Sequence, residues 1–153
     1  HRAASLRGQD VAVAVGVTNW DWRDGGGSSN CSTGPYAAAG LNNAVAAGRI
    51  SYTLGLRGGC LTIDTACSSA LVACQTASAW LISGEHSAAI SPTVHVMVYP
   101  QPWIALCAMQ MLSGTGRCLT FDASANGYAR GEGVASVALQ PLEIESAVSG
   151  AEL

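Results

Sequence analysis

Hydrophobic and polar positions follow different periods along the chain, and each period predicts an element of secondary structure. Residues 11–17, VAVAVGV, are apolar throughout and rich in valine, which is typical of a strand buried on both faces. Residues 18–35 are rich in Gly, Ser and Asn and predict a loop. Residues 36–54 place alanine and polar residues at helical spacing. We therefore expect a helix that ends near Gly55, followed by a second strand at 60–64.

The stretch 65–84 contains no charged residue and predicts a long helix. Its serines, threonines and glutamine make it a poor membrane span, although its length and lack of charge would permit one. Helices that are apolar on every side are typical of protein interiors. We therefore expect this helix to be buried all round by other protein.

The second half of the chain continues the alternation of strands and helices. Residues 87–98 predict a strand interrupted by Pro92, and residues 100–112 predict a loop and a short helix. The glycine-rich residues 113–133 predict a loop, and residues 134–143 predict a last strand. Alternating strands and helices indicate the α/β class.

Composition narrows the class of partner. Hydrophobic residues make up 49% of the chain and charged residues 11%, against about 25% in a typical protein. Much of the surface is therefore expected to face other protein. The formal net charge is −3 and no basic run is present, which argues against nucleic acid or an anionic membrane as the partner.

The cysteine pattern indicates reduced thiols. Six cysteines are scattered along the chain without a CxxC pair or a zinc-type cluster, so we expect no metal site and an intracellular protein. The chain starts at His1 and lacks an apolar signal segment, so we expect a piece of a longer protein. The cysteines are Cys31, Cys60, Cys67, Cys74, Cys107 and Cys118.

The segment 62–73, TIDTACSSALVA, places Cys67 where a predicted strand gives way to the uncharged helix. Free N–H groups and the dipole at a helix N-terminus stabilise a thiolate, and the same N–H groups can hold a developing oxyanion. Cys67 is therefore a candidate nucleophile, which should alkylate faster than the other cysteines. The alternative is one more packed thiol. Asp64 is interpreted as an acceptor for turn N–H groups rather than as a general base.

Beyond this chemistry, the sequence resembles the β-ketoacyl synthases of polyketide and fatty acid synthases. TIDTACSSALVA is similar to the family's active-site pattern DTACSSSLVA, with Ala70 where serine is usual. Residues 47–69 follow the family's GRISYTLGL…DTACSS segment, and residues 111–133 follow its MLSPDGRC…GY.RGEG segment. The resemblance covers about residues 10–143 in order, so residues 1–153 are interpreted as one partial ketosynthase domain.

The resemblance implies the N-terminal part of a thiolase-like α/β fold, with a mixed sheet and a buried helix that carries the nucleophile. It implies that Cys67 accepts an acyl chain as a thioester, with its own backbone N–H as an oxyanion donor. Decarboxylative Claisen condensation with a malonyl-type extender would follow. Both substrates would arrive on the phosphopantetheine arm of acyl carrier protein, with no cofactor bound directly. The family's dimers pair across the strand at about 60–66, so a homodimer is expected.

The resemblance also shows what this chain lacks. The family's catalytic histidines lie in HGTGT and NxGH motifs, which are absent here. His1, His86 and His95 lack that context: His86 is expected on the surface at a helix end, and His95 is expected to pack within a strand. SAAISPTVH also departs from the family's GGVN segment. The chain alone should at most acylate itself at Cys67, and it should aggregate because its central helix lacks cover.

Two alternatives to this function stay open. One is a degenerate ketosynthase kept as a scaffold or dimerisation partner, and the other is a different acyltransferase of the thiolase fold. An unrelated α/β binding module is a more distant third.

Several other residues have structural interpretations. Asp122 is expected to brace its loop, and Arg130 and Glu132 are expected to pair with each other. GYARGEGV leads into a strand, so it does not predict a phosphate loop. Met109 and Met111 are predicted to pack in the core, with an acyl pocket as the alternative. The tryptophans singled out as core or interface residues are Trp20, Trp22 and Trp103.

Overall fold

A four-stranded mixed sheet organises the computed structural model, which describes residues 3–18, Asp21 and residues 34–142. The strand order is β2-β1-β3-β4, in which β1 runs parallel to both β2 and β3, and β4 runs antiparallel to β3. This topology confirms the predicted α/β class with a mixed sheet. The strands are β1 (Val11–Gly16), β2 (Cys60–Ile63), β3 (Ala88–His95) and β4 (Gly133–Leu139).

Four helices lie within residues 34–142, and short 3₁₀ turns lie at Ala3–Leu6, Asn43–Val45 and Ala66–Ser68. Two of the helices, α2 and α3, pack against β1 from opposite faces. The helices are α1 (Ala37–Leu41), α2 (Ala46–Leu54), α3 (Ser69–Ile82) and α4 (Gln101–Ala108).

Strand β1 forms the centre of the core, as its apolar sequence predicts. Alternate residues of a strand face opposite sides of the sheet. On one face, Ala12 and Ala14 pack with two alanines of α3, at positions 73 and 77. On the other face, Val13 and Val15 pack with Ala47 of α2. Alanine on both partners lets the axis of α3 lie close to the sheet.

The single helix predicted over residues 36–54 is wrong, because the chain breaks at Asn42. This residue has an extended backbone (φ −105°, ψ 117°), and its side-chain oxygen accepts the N–H of Ala44. Asparagine competes with helical hydrogen bonds in this way and favours a new helix start. The predicted end at Gly55 is confirmed: its left-handed backbone (φ 70°) closes α2.

Helix α3 is buried on one face only, as expected for a chain that alone leaves its central helix without cover. Burial of its other sides by further protein stays a prediction. Its buried positions are Ser69, Ala73 and Ala77, which lie four residues apart and face the sheet. The side chains of Leu71 and Ile82 are 77% and 84% exposed. The small residues select the face that packs, and the large apolar residues stay outside it.

Strand β3 continues through Pro92, which pairs with Ser136 of β4. The strand predicted at 87–98 is confirmed, but it is continuous and ends at His95. Thr93 Oγ1 donates a hydrogen bond to the carbonyl oxygen of Gly16 over 2.9 Å, which ties the end of β3 to the end of β1.

No helix in the described ranges is long and apolar enough to cross a membrane. The five cysteines within those ranges are free thiols. Some residues named above lie outside the described ranges, namely His1, Trp20, Trp22 and Cys31.

Candidate active site

Cys67 lies in the 3₁₀ turn Ala66–Ser68, between the end of β2 and the start of α3 at Ser69. This arrangement confirms the predicted position at the strand-to-helix junction. The residue is exposed. A strand, a sharp turn and a helix together present one side chain outwards, which is the geometry used by nucleophile elbows.

The turn before Cys67 has an unusual backbone that local hydrogen bonds maintain. Ala66 has a left-handed conformation (φ 56°), which is costly for a residue with a β-carbon. The Oδ1 atom of Asp64 accepts the Ala66 N–H over 3.0 Å, so Asp64 is confirmed as a turn acceptor. None of the hydrogen bonds found among residues 34–142 uses the N–H of Cys67.

Two serines after the cysteine complete the turn. Ser69 Oγ accepts the Thr65 N–H over 2.9 Å and donates to the carbonyl oxygen of Ala66 over 2.7 Å. Ser68 Oγ lies 2.9 Å from both the carbonyl oxygen and Oγ1 of Thr65. These bonds hold both ends of the turn, so the position of Cys67 relative to α3 is defined.

Gly16 allows the start of α3 to approach β1. A β-carbon on Gly16 would lie 2.8 Å from the backbone nitrogen of Ala70 and from the carbonyl group of Ser69. Real β-carbons do not approach backbone atoms so closely, and the backbone of a packed helix cannot give way cheaply. Gly16, the last residue of β1, therefore fixes the depth of the turn that carries Cys67.

Cys67 opens onto a cavity of about 390 Å³. The carboxyl ends of β1 and β3, the turn that carries Cys67, Leu106 of α4 and residues 128–131 surround it. This is the edge at which α/β sheets commonly bind ligands. Its polar or ionisable lining residues are Thr18, Cys67, Ser69, Thr93, His95, Tyr128 and Arg130.

His95 and Arg130 are the cavity residues whose surroundings differ most from expectation. His95 was expected only to pack, but its Nε2 lies 3.3 Å from Nη2 of Arg130 in the wall of the cavity. The predicted pair of Arg130 with Glu132 is wrong, because Glu132 Oε1 accepts the N–H of Met97 over 2.6 Å. The guanidinium carbon of Arg130 lies 5.5 Å from the ring centroid of Trp103, a cation–π contact.

The position of His95 could have been read from the sequence. Carboxyl ends of parallel strands meet at one edge of a sheet, and His95 lies near the carboxyl end of the strand predicted over residues 87–98, just as Cys67 follows the strand predicted over residues 60–64. The position of Arg130 carries no such local signal, because it depends on how a long loop returns to the sheet.

The long loop that carries Arg130, residues 113–132, is closed by contacts between its two ends. Ser113 N–H donates to the carbonyl oxygen of Tyr128, and Tyr128 N–H donates to that of Met111, each over 3.0 Å. Gly127 between them has φ 139°, and a β-carbon there would lie 2.6 Å from backbone atoms of Leu112 and Ser113. The close approach requires glycine.

Side chains brace the loop further. Cys118 Sγ accepts the N–H of Ala129 over 3.1 Å. Asp122 Oδ1 accepts the hydroxyl and the backbone N–H of Ser124 over 2.6 and 2.8 Å, which confirms Asp122 as a brace. The hydroxyl bond and then the backbone bond of Ser124 hold the pKa of Asp122 below its usual value.

The two methionines proposed as core or acyl-pocket residues are neither. Met109 is 67% exposed and Met111 is 39% exposed. Both follow the last turn of α4, and the residue of this helix that lines the cavity is Leu106. Trp103 is also exposed to a large extent, at 44%, and packs on Arg130 rather than in the core.

His86 lies just after the end of α3, as expected, but its side chain is only 17% exposed and forms part of a structural brace outside the cavity. Its Nδ1 lies 2.7 Å from Oδ1 of Asp10, and its Nε2 accepts the N–H of Gly59 over 3.2 Å. Nε2 accepts, so Nδ1 carries the proton in the neutral ring and donates to Asp10. The His86 hydrogen bond is the largest cause that holds the pKa of Asp10 below its usual value. Trp80 packs edge-on against the imidazole at 5.7 Å.

Comparison with known proteins gives consistent matches. The family described as Beta-ketoacyl synthase, N-terminal domain, matches residues 2–144. The highly reducing polyketide synthase ACTTS3 of Alternaria alternata is 44% identical over 137 residues, which cover 90% of this chain and 6% of that protein. A mycocerosic acid synthase-like polyketide synthase of Mycobacterium tuberculosis is 41% identical over 132 residues, covering 86% of this chain and 6% of that protein.

A solved structure is similar over nearly the same span. The ketosynthase from module 6 of the bacillaene synthase from Bacillus subtilis 168 superposes with a TM-score of 0.78 at 33% identity, covering 93% of this chain and 23% of that one. The chain thus spans a small part of the length of each of these relatives.

Proposed function

The chain belongs to the β-ketoacyl synthase family, with the thiolase-like α/β fold of its N-terminal part, and we propose that Cys67 is the acyl-accepting nucleophile of a polyketide-type ketosynthase. The observation that carries the proposal is the exposed Cys67 at the strand-to-helix turn, beside a cavity of about 390 Å³. The overall reaction is a decarboxylative Claisen condensation of an acyl and a malonyl-type thioester.

The first step is transfer of the acyl group to Cys67. The thiolate attacks the carbonyl carbon of the acyl-pantetheine thioester and forms a new carbon–sulfur bond. The bond to the pantetheine sulfur breaks, and that sulfur leaves with the proton that Cys67 gave up. The Cys67 N–H, which the turn does not use, is available to hold the oxyanion that develops on the carbonyl oxygen.

The second step needs groups that the motifs of this chain do not supply. The family uses two histidines to polarise the malonyl thioester and assist loss of CO₂, which leaves a carbanion. The carbanion attacks the acyl carbonyl on the cysteine and forms a carbon–carbon bond, while the carbon–sulfur bond to the cysteine breaks and frees its thiolate, which takes up a proton again. His86 is engaged with Asp10 and Gly59, and neither it nor His95 lies in the family's histidine motifs. The described chain is therefore proposed to supply the nucleophile and one wall of the site, and to be inactive in condensation by itself.

The proposed partners follow from the same membership. Acyl carrier protein delivers both substrates on its phosphopantetheine arm, and the intact protein acts inside the cell as a homodimer. The position of β2 supports the dimer, since this strand forms an edge of the described sheet and one side of it is unpaired. A second copy of β2 would extend the sheet across the dimer axis.

Acyl transfer to an intact protein tests the proposal. We expect an acyl carrier thioester to leave one acyl adduct on the peptide that contains Cys67, as read by mass spectrometry. Cys67→Ala should abolish the adduct, and the matched variant Cys107→Ala, which alters an exposed thiol on α4, should keep it. A folded protein that takes no acyl group would contradict the proposal and favour the scaffold alternative.

A further inference from the structure

The cavity beside Cys67 contains a positive charge for which acyl transfer has no use. Arg130 lines this cavity together with Cys67. A guanidinium has only donors, so Nη2 of Arg130 donates to Nε2 of His95 over 3.3 Å. The guanidinium carbon also lies over the ring of Trp103, 5.5 Å from its centroid. The charge is therefore held at one place in the wall.

One donor of this guanidinium is unused. Nη1 of Arg130 is enclosed by protein and has no hydrogen-bond partner within the part of the chain that the structure describes. A buried charged donor without an acceptor is costly to a protein. Glu132, two residues further on, does not satisfy it because its carboxylate accepts the N–H of Met97. Because Arg130 lines the cavity, an anion held there is a candidate acceptor for Nη1.

We propose that Arg130 is an anion-binding residue of the Cys67 cavity, with His95 as the residue that positions its guanidinium. The ligand class is an acyl thioester with a carboxylate a few bonds from its thioester carbonyl, since guanidinium and carboxylate match in a bidentate pair. Arg130 and Cys67 share one small cavity, which excludes the phosphate at the far end of a pantetheine arm. The thioester part of this inference rests on the proposed function, whereas the anion site does not.

Two alkylating reagents of similar size test the anion site without any acyl transfer. Iodoacetate carries a carboxylate and iodoacetamide carries a neutral amide, so the ratio of their rates at one thiol reports the local charge. We expect this ratio at Cys67 of the intact protein to exceed that of glutathione by about tenfold at low salt. The excess should shrink at high salt, because counterions screen the charge. A ratio equal to that of glutathione would overturn the proposal.

A matched pair of variants assigns the effect to one residue. Arg130→Gln should lower the ratio at Cys67 to about that of glutathione. Arg117→Gln removes an equal charge from an exposed site in the same loop and should leave the ratio high. Equal ratios in Arg130→Gln and the unaltered protein would refute the assignment. If Arg130→Gln fails to fold, Arg130→Lys is the second variant. It keeps the positive charge but loses the bidentate guanidinium, so we expect an intermediate ratio of iodoacetate to iodoacetamide rates at Cys67.

His95 is tested by a conservative replacement. His95→Gln retains a side-chain acceptor for Arg130 and should keep the ratio, whereas His95→Ala should lower it several-fold with an unchanged thermal midpoint. Equal losses in both variants would leave His95 with no positioning role. Transfer of a neutral acetyl group to Cys67 should survive in Arg130→Gln, so failure of this inference is distinguishable from failure of the proposed function.

Discussion

The two walls of the Cys67 cavity are built by different means. The wall that carries the proposed nucleophile Cys67, residues 64–69, is called the nucleophile wall. It is held by hydrogen bonds that join residues two to four positions apart, such as Asp64 to Ala66 and Thr65 to Ser69. The loop wall, residues 128–131, is held by bonds that join residues 11 to 35 positions apart, such as those from Ala129 to Cys118 and from Arg130 to His95.

The difference teaches where each wall is vulnerable. The conformation of a wall made of local bonds is determined by its own short segment. Such a wall moves as a unit only when its packing distance from the sheet changes. A wall made of distant bonds depends on the closure of a long loop, so it can be loosened while the nucleophile stays in place. Variants of each wall should therefore change different properties.

The largest effect is expected from Gly16→Ala, which changes the depth of the nucleophile wall. The new β-carbon would meet the backbone of Ser69 and Ala70 at 2.8 Å, and overpacking of this kind costs about 1–3 kcal/mol. A displacement of about 1 Å at Cys67 would slow acyl transfer about 100-fold. Gly114→Ala, where a β-carbon meets nothing within 4 Å, should change neither property. Thermal melting and the acyl-transfer rate measure both.

Gly127→Ala should have the next largest effect, and it should act on the loop wall. The residue needs φ 139° and lies against the backbone of Leu112, so alanine should open the contact with Tyr128. We expect faster hydrogen exchange over residues 111–131 and acyl transfer within about tenfold of normal, because the nucleophile stays placed. Gly131→Ala serves as the control, since a β-carbon there meets nothing within 4 Å. Equal damage to α3 would show that the walls are coupled.

A smaller effect is expected from removing one bond of the nucleophile wall. Asp64→Ala removes the acceptor of the Ala66 N–H and should cost about 0.5–2 kcal/mol, as loss of a comparable cap does. Acyl transfer should slow several-fold. Asp64→Asn keeps a side-chain oxygen and should behave nearly as the original. If asparagine and alanine were equally harmful, the charge of Asp64 rather than the hydrogen bond would matter.

The smallest effect is a local response of the loop wall to acid. The pKa of Asp122 is lowered from 3.8 in the folded chain, so its bonds to Ser124 contribute stability that is present above pH 3.8. That contribution is lost as the pH falls through the lower folded value. We expect the protection factor of the Ser124 amide to fall below pH 3.8, while amides of β1 stay protected. Asp122→Asn should remove this pH dependence.

Local sequence predicted the nucleophile wall better than the loop wall for a physical reason. The strand, the turn, the helix start and the role of Asp64 all follow from neighbouring residues, and the structure confirms them. The partners of Arg130 and His95 depend on packing between distant segments, which no short pattern encodes. The resemblance to ketosynthases predicted the family and fold, but it named no partner for either residue.

The helices also show what local sequence patterns could not predict. The absence of charge over residues 65–84 correctly predicted a helix, yet it could not show which face would pack. Asn42 broke a predicted helix because one side-chain hydrogen bond to Ala44 outweighed the average propensity of its neighbours. Single polar groups decide such breaks, and averaged patterns do not resolve them.

The left-handed backbone of Ala66 places stability and reactivity in opposition. Glycine adopts this conformation without the penalty that alanine meets, so Ala66→Gly should stabilise the fold by about 1 kcal/mol. The same change widens the range of conformations open to the turn, and Cys67 would spend less time in the geometry proposed for attack on a thioester. Selection for a sturdy fold and selection for a fast enzyme would therefore favour different residues at position 66.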